Sequence, residues 1–305
     1  MHIGITNMKN EKKKRTLILT QTDPATDIMF NNWIRNGYNA DIIFKTVPKP
    51  LRLVRRFWMN IPFPCLSIWL GKWKSNLNKY DTIILHASEW TRNIPEWIHN
   101  QKPKMRIIYW YWNPVNKLSS PLKVTDTHVE FWTFDPIDAQ KYGMKKNIQY
   151  YSKPKSESKN PMIYEDVYFI GHNKGRQKVI KSIEEKLIRQ QITYKFDVMK
   201  NNFIPYYEVC SEISHARSIL EINQAGQAGL TLRAMESLFF EKKLITNNRN
   251  IKMMDFYSEK NIFILEERPI SQLKSFLFSP YDHSVDKYKN NYDLNAWFNN
   301  FFDRV

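Results

Sequence analysis

The sequence predicts an α/β protein built from two doubly wound, Rossmann-like domains. Three observations carry that reading. Apolar runs of strand length recur along the 305 residues. Segments with helical spacing lie between them, so strands and helices alternate. A polar, proline-bearing stretch, "SKPKSESKNP" at 152–161, divides the alternation into two sets.

In the first set, "RTLILTQ" (15–21) predicts a strand, and "DIMFNNWIRNG" (27–37) a helix with a glycine stop. Strands follow at "ADIIF" (40–44), "DTIILHA" (81–87), "RIIYWYW" (106–112) and "VEFWTF" (129–134), then a short helix at "PIDAQKYG" (136–143). Continuous apolar runs of this kind suit parallel strands covered on both faces. In the second set, "DVYFIG" (166–171), "YKFDVM" (194–199), "SILEI" (218–222), "KLITN" (243–247) and "NIFIL" (261–265) read as strands. Helical spacing marks 176–191, 205–216 and 231–241. An aromatic helix is expected at 293–302, "DLNAWFNNFF". The expected domains are 1–155 and 162–285, with 286–305 packing back on the first.

Composition narrows the function classes. The formal net charge of +16 points to an anionic partner. The two cysteines, Cys65 and Cys210, form no CxxC, which excludes a cysteine-based zinc site and fits a reducing compartment. No apolar run reaches the roughly 18 residues of a membrane span. The N-terminal residues carry no secretory signal pattern. The expected location is cytoplasmic, peripheral on the inner face of a bacterial membrane.

Two glycine loops carry the candidate chemistry. "NQAGQAGLTLRAMESLFFEKKLITNN" (223–248) sits between an apolar strand and a helix, and holds two of the chain's eight glycines. Gly226 and Gly229 let backbone approach a ligand. Thr231 is a helix cap, and the helix N-terminus presents free N–H groups to a phosphate. Arg233 adds a charge-assisted donor, and Glu236 lies on the same face at i+3. The alternative is a tight turn with a surface ion pair. "IGHNKGR" (170–176) is the second loop, with Gly171 ending a strand and Lys174 and Arg176 opening a helix. Neither loop is a GxGxxG dinucleotide fingerprint or a P-loop.

The "GLTL" at 229–232 with "MESLFFEKKLI" at 235–245 resembles the donor-site signature of GT-B-type glycosyltransferases. With "YFIGHNKGR", "YWNP" and "FWTFD", the pattern is similar to bacterial glycosyltransferases of lipopolysaccharide, O-antigen and capsule synthesis. The resemblance implies a GT-B architecture, two Rossmann-like domains facing a cleft. It implies a nucleotide-sugar donor, UDP-linked, and a glycan or lipid-linked acceptor. It implies no cofactor and no metal. Glu236 falls on the family's ribose-binding glutamate. Gly171, Lys174, Arg176, Gly226, Gln227, Gly229, Leu230, Thr231 and Arg233 complete the implied donor site. The family's glutamate ahead of the loop has no counterpart here, since Gln224 and Gln227 occupy that region.

Glycosyl transfer needs a stabilised leaving diphosphate and, for inversion, a base for the acceptor hydroxyl. Arg233, Lys174 or Arg176 would serve the first need. For the second, Asp23, His86 and Glu89 stand at strand ends of the first domain, with Asp135 and Asn113 near similar ends. Asp23 and Asp135 precede prolines, so a helix-cap role is open for both.

From Lys45 to Tyr80 there is no acidic residue but eight Lys or Arg, interleaved with aromatics. Arg52, Arg55, Arg56, Trp58, Trp69, Lys72, Trp73 and Lys74 therefore form a candidate contact with an anionic inner-membrane surface. An aromatic core with a basic rim is the alternative. Nucleic acid is not expected as a partner, because no RRM, KH, zinc-finger or helix-turn-helix pattern is present. Two other readings stay open: another nucleotide-sugar enzyme such as a hydrolysing epimerase, and a non-enzymatic basic binder.

Overall fold

The computed structural model describes residues 10–22, 27, 31–59, 65–154, 161–173, 175–199, 204–223 and 229–303. The chain divides into two compact units, Met1–Asn147 and Ile148–Val305. Each is a parallel sheet with helices.

The first unit contains β1 (Thr16–Thr20), β2 (Asn39–Ile42), β3 (Thr82–His86), β4 (Arg106–Tyr111), β5 (Val129–Thr133) and β6 (Lys145–Lys146). Its strand order is β2-β1-β3-β4-β5-β6, with every pairing parallel. Its helices are α1 (Asn31–Arg35), α2 (Lys49–Trp58), α3 (Ile94–Gln101) and α4 (Pro136–Tyr142). Every residue of β1 and β3 is buried. Leu17, Leu19, Ile83, Leu85, Ile107 and Tyr109 join one core cluster. Ile18, Ile84, Ile108 and Trp110 alternate with them and are equally enclosed. Burial of both faces is why these strands read as unbroken apolar runs.

The second unit contains β7 (Glu165–His172), β8 (Tyr194–Met199), β9 (Ala216–Glu221), β10 (Lys243–Thr246) and β11 (Ile262–Ile264) in the order β11-β10-β9-β7-β8. Its pairings are also parallel. The helices are α5 (Gln177–Arg189), α6 (Tyr206–His215), α7 (Leu232–Phe240), α8 (Leu273–Phe278) and α9 (Leu294–Asp303). Tyr168, Ile219, Leu244 and Ile262 feed one core, and Val167, Leu220, Ile245 and Phe263 feed another. Tyr150 packs on Trp297 of α9 at 4.5 Å between ring centroids, and the Tyr151 N–H donates to the Tyr292 carbonyl. Residues 148–154 and α9 thus belong to one unit.

Each predicted strand appears within one or two residues of its expected ends. Helices α2, α3 and α8 were not expected. The prolines at the start of α2 and α3 sit in the first turn, where the missing N–H has no intrahelical partner to lose. Among the described residues no helix is long and apolar enough to cross a membrane.

Both sheets reverse their strand order beside the first strand, between β1 and β3 and between β7 and β9. In open α/β sheets the crevice beyond the carboxyl ends at such a point is where ligands bind.

Candidate functional site

In the second unit the chain leaves β9 at Glu221 and enters α7 after Thr231. Gly226 and Gln227 of the connecting loop lie outside the described residues, as does Lys174. Gly229 is buried, and Leu230 packs on the core beneath. Thr231 caps α7, its Oγ1 accepting from the Arg233 N–H at 3.0 Å. Its hydroxyl donates to Glu221, and the Thr246 hydroxyl donates to the same carboxyl. Glu221 is enclosed at 1% exposure, and burial pushes its carboxyl above the ordinary glutamate range. It therefore ties the ends of β9 and β10 to the start of α7. Sequence reasoning passed over it as part of an apolar run. The available signal was an acid at the carboxyl end of a buried strand.

Arg233 and Glu236 form an ion pair, Nη1 to Oε2 at 2.7 Å. It is not the surface pair that the bland reading offered: Glu236 is 0% exposed. The Tyr206 hydroxyl donates to Glu236 Oε1 at 2.7 Å. It also lies 2.8 Å from the Tyr151 hydroxyl. A hydroxyl has one proton, so Tyr151 donates to Tyr206 in turn. Burial pushes the Glu236 carboxyl up to about 7, opposed by Arg233 and by the Tyr206 hydrogen bond. For Arg233, burial works against the charge, but Glu236 together with Tyr206, Tyr151 and Tyr168 outweighs it, and the guanidinium is held above its usual value. Sequence spacing placed both side chains toward a ligand; the structure turns them toward each other.

Arg176 stands at the switch point itself. Its guanidinium donates to the carbonyls of His172, at the end of β7, and Ile222, just after β9. Gly171 makes room for it, since a Cβ there would stand 3.0 Å from Arg176 Nη2 and 3.3 Å from the Phe169 ring. Gly175, with φ +80°, supplies the left-handed turn that brings the arginine back.

In the first unit, Asp23 lies outside the described residues. His86 is buried at the end of β3, edge-on to Trp33 at 5.6 Å and stacked on Trp112 at 5.8 Å. Burial lowers its pKa to about 3. An imidazole so enclosed and so weakly basic is poorly suited to take a proton from an acceptor, which corrects its standing among the candidate bases. Glu89 is half-buried in the turn that follows, and Asn113 is exposed. Asp135 is a helix cap, accepting from the N–H groups of Ile137 at 2.9 Å and Asp138 at 3.1 Å.

The expected basic aromatic surface separates into two parts. Trp69 and Trp73 are core residues at 6% and 2% exposure, so they are not surface anchors. The Trp73 indole N–H donates to the Ile43 carbonyl at 2.9 Å. Trp58 is half-buried against Trp69, Lys72 is exposed, and Lys74 donates to the Ser67 carbonyl. Helix α2 buries none of its residues. Leu53 and Phe57 are about two-thirds exposed, at 66% and 69%, with Leu51 and Val54 beside them. Its apolar face looks outward, whereas Arg52, Arg55 and Arg56 line a cavity of about 280 Å³ in the unit.

No family model matches this sequence. No curated protein matches it either. Solved structures do match. The DNA-modifying enzyme β-glucosyltransferase, solved with and without uridine diphosphoglucose, aligns at TM-score 0.52 and 13% identity, over 94% of this chain and 98% of that one. A sucrose-phosphate synthase from Thermosynechococcus elongatus aligns at 0.53 and 10% identity, over 94% and 96%. HepE from Anabaena, in complex with UDP and glucose, aligns at 0.50 and 8% identity, over 95% and 98%. Two parallel α/β units and these alignments along nearly the whole chain give this protein the fold of the GT-B glycosyltransferases.

Proposed function

We propose that the protein is a glycosyltransferase that moves a sugar from a UDP-linked donor to a lipid-linked or oligosaccharide acceptor of a bacterial surface glycan. The observation that carries this reading is the start of α7. A capped helix N-terminus, Gly229 and an arginine meet there, after the carboxyl end of a parallel strand. In this reading the donor diphosphate lies against Gly229, Leu230, Thr231 and Arg233, and Gly226 and Gln227 are assigned to the same donor. Gly171 and Arg176 border the other side of the switch point, and Lys174 is assigned to the same anion. Diphosphate oxygens compete with Glu236 for Arg233, and Glu236 Oε2 then turns to the ribose hydroxyls. Arg233 stabilises the leaving diphosphate, the role a metal ion would otherwise fill. The acceptor base is Glu89 or Asp23. The outward apolar face of α2 and the exposed Lys72 support peripheral attachment to an anionic membrane.

A second reading concerns the acceptor alone. The net charge of +16 favours nucleic acid, as in a DNA-modifying enzyme of the same fold. A panel of nucleotide sugars read by thermal shift tests the donor. Wild type is expected to be stabilised by a UDP-sugar and not by NAD. Product analysis by NMR, with glycolipid and DNA supplied in parallel, identifies the acceptor. Absence of any nucleotide-dependent shift overturns the reading.

A further inference from the structure

The first unit has its own switch point, between β1 and β3, and a cavity opens there. It is lined by Gln21 just beyond β1, by Ile42 at the end of β2, and by Trp90 in the turn after β3. Its volume, about 280 Å³, stands at the small end of ligand pockets, which run roughly 300–1,000 Å³. That suits a compact group rather than a whole sugar nucleotide.

Its charge is one-sided. Lys45, Arg52, Arg55 and Arg56 line it, and among the described residues no carboxylate does. The three arginines recur at i, i+3 and i+4 on α2, which puts them on one face. Lys45, Arg52 and Arg55 are held without an acidic partner. Arg52 Nε donates to the Val47 carbonyl at 3.1 Å, and Arg55 Nη1 to the Lys45 carbonyl at 3.1 Å. Arg55 lies over the Phe44 ring at 4.6 Å, Arg56 over Trp90 at 5.5 Å and Lys45 over Trp69 at 5.8 Å. Burial, then Arg52 and Arg56, lower the Arg55 pKa, and no acid offsets them. Positioned guanidinium groups with N–H donors to spare match phosphate oxygens. Gathering four cations has a repulsive cost that a bound anion removes.

We propose that this cavity is a phosphoryl-anion subsite, which binds a phosphate or diphosphate group through Lys45, Arg52 and Arg55. Resting on the glycosyltransferase reading, the group belongs to the acceptor: a sugar or lipid bearing a phosphate held at the first unit's switch point. The exposed apolar face of α2 lies directly behind these arginines, so a lipid carrying the phosphate would have a surface to run along.

The test uses the full chain in three forms: wild type, Arg52→Gln/Arg55→Gln, and the control Lys79→Gln/Lys104→Gln, which removes the same charge from exposed positions. Inorganic pyrophosphate binding is measured calorimetrically, with UDP binding alongside. Vesicles of phosphatidylcholine, with and without phosphatidic acid, form the second arm. Pyrophosphate affinity should fall at least tenfold in the arginine variant and less than threefold in the control. Vesicle binding that follows the same arginines marks a lipid-borne phosphate; loss confined to pyrophosphate marks a soluble one. Equal pyrophosphate and vesicle binding in both variants overturns the proposal. Retained UDP binding beside that result leaves the donor reading standing. Absent UDP binding beside an arginine-dependent pyrophosphate site removes the donor reading and keeps the subsite.

Discussion

The two units treat their arginines in opposite ways. In the second, Arg233 is neutralised by Glu236, and that carboxyl is capped by a tyrosine hydroxyl. In the first, Arg52 and Arg55 share a cavity with further cations and are held by carbonyls and ring faces alone. The first arrangement makes folding depend on the pair, because either partner alone would be a buried, uncompensated charge. The second contributes little to folding and leaves its cations ready for an anion. The difference teaches that an arginine's partners decide how far folding depends on it: Arg233 must exchange Glu236 for a diphosphate before it can bind one, whereas Arg52 and Arg55 have no carboxylate to release.

The largest effect expected from this contrast is at Glu236. Glu236→Ala should destabilise the protein by about 3–5 kcal/mol, because Arg233 is left buried and unpaired. The double change Arg233→Met/Glu236→Leu should recover most of that loss in urea unfolding. If Glu236→Ala is near neutral, the pair is not held as described.

His86 gives the next effect and shows a titratable group buried neutral. Its folded pKa of about 3 lies below the ordinary imidazole value of 6.5, so the unfolded chain binds the proton first. Its contribution is complete above pH 6.5 and is lost as pH falls toward 3. Between pH 6.5 and 4.5 this amounts to roughly 2–3 kcal/mol. Urea unfolding of His86→Gln at these two values should show a shallower decline than wild type. An equal decline would mean that His86 titrates normally, which would restore it as a candidate base.

The smallest effect is expected at the arginine cavity. Arg55→Gln should change stability by no more than about 0.5 kcal/mol in either direction, since it removes repulsion along with one carbonyl hydrogen bond. A loss of several kcal/mol would mean that Arg55 is structural, and the contrast between the units would fail.

Much of the fold was legible because strands buried on both faces leave unbroken apolar runs, as "TLILT" and "TIILH" do. Helix α2 was missed although Leu51, Val54 and Phe57 recur at helical spacing, because its stretch was read only for its cations and tryptophans. At the candidate site, the glycine loop, Thr231 and Arg233 could be picked out from residue type and spacing. The partner of Arg233 could not be read as a partner, because i+3 spacing fits a ligand-facing pair and a closed ion pair equally well. Tyr151 and Tyr206 lie 85 and 30 residues from Glu236 in sequence and meet it only through the packing of the second unit. Trp69 and Trp73 show the converse error: tryptophans among lysines resembled an interface until the fold placed them in the core.

The central claim is that the start of α7 binds a nucleotide diphosphate, and titration of UDP into two proteins tests it most directly. Wild type should bind UDP and show a raised Tm. Arg233→Met/Glu236→Leu, folded but without the guanidinium, should show neither. UDP binding of equal strength in both proteins, or in neither, would contradict the account.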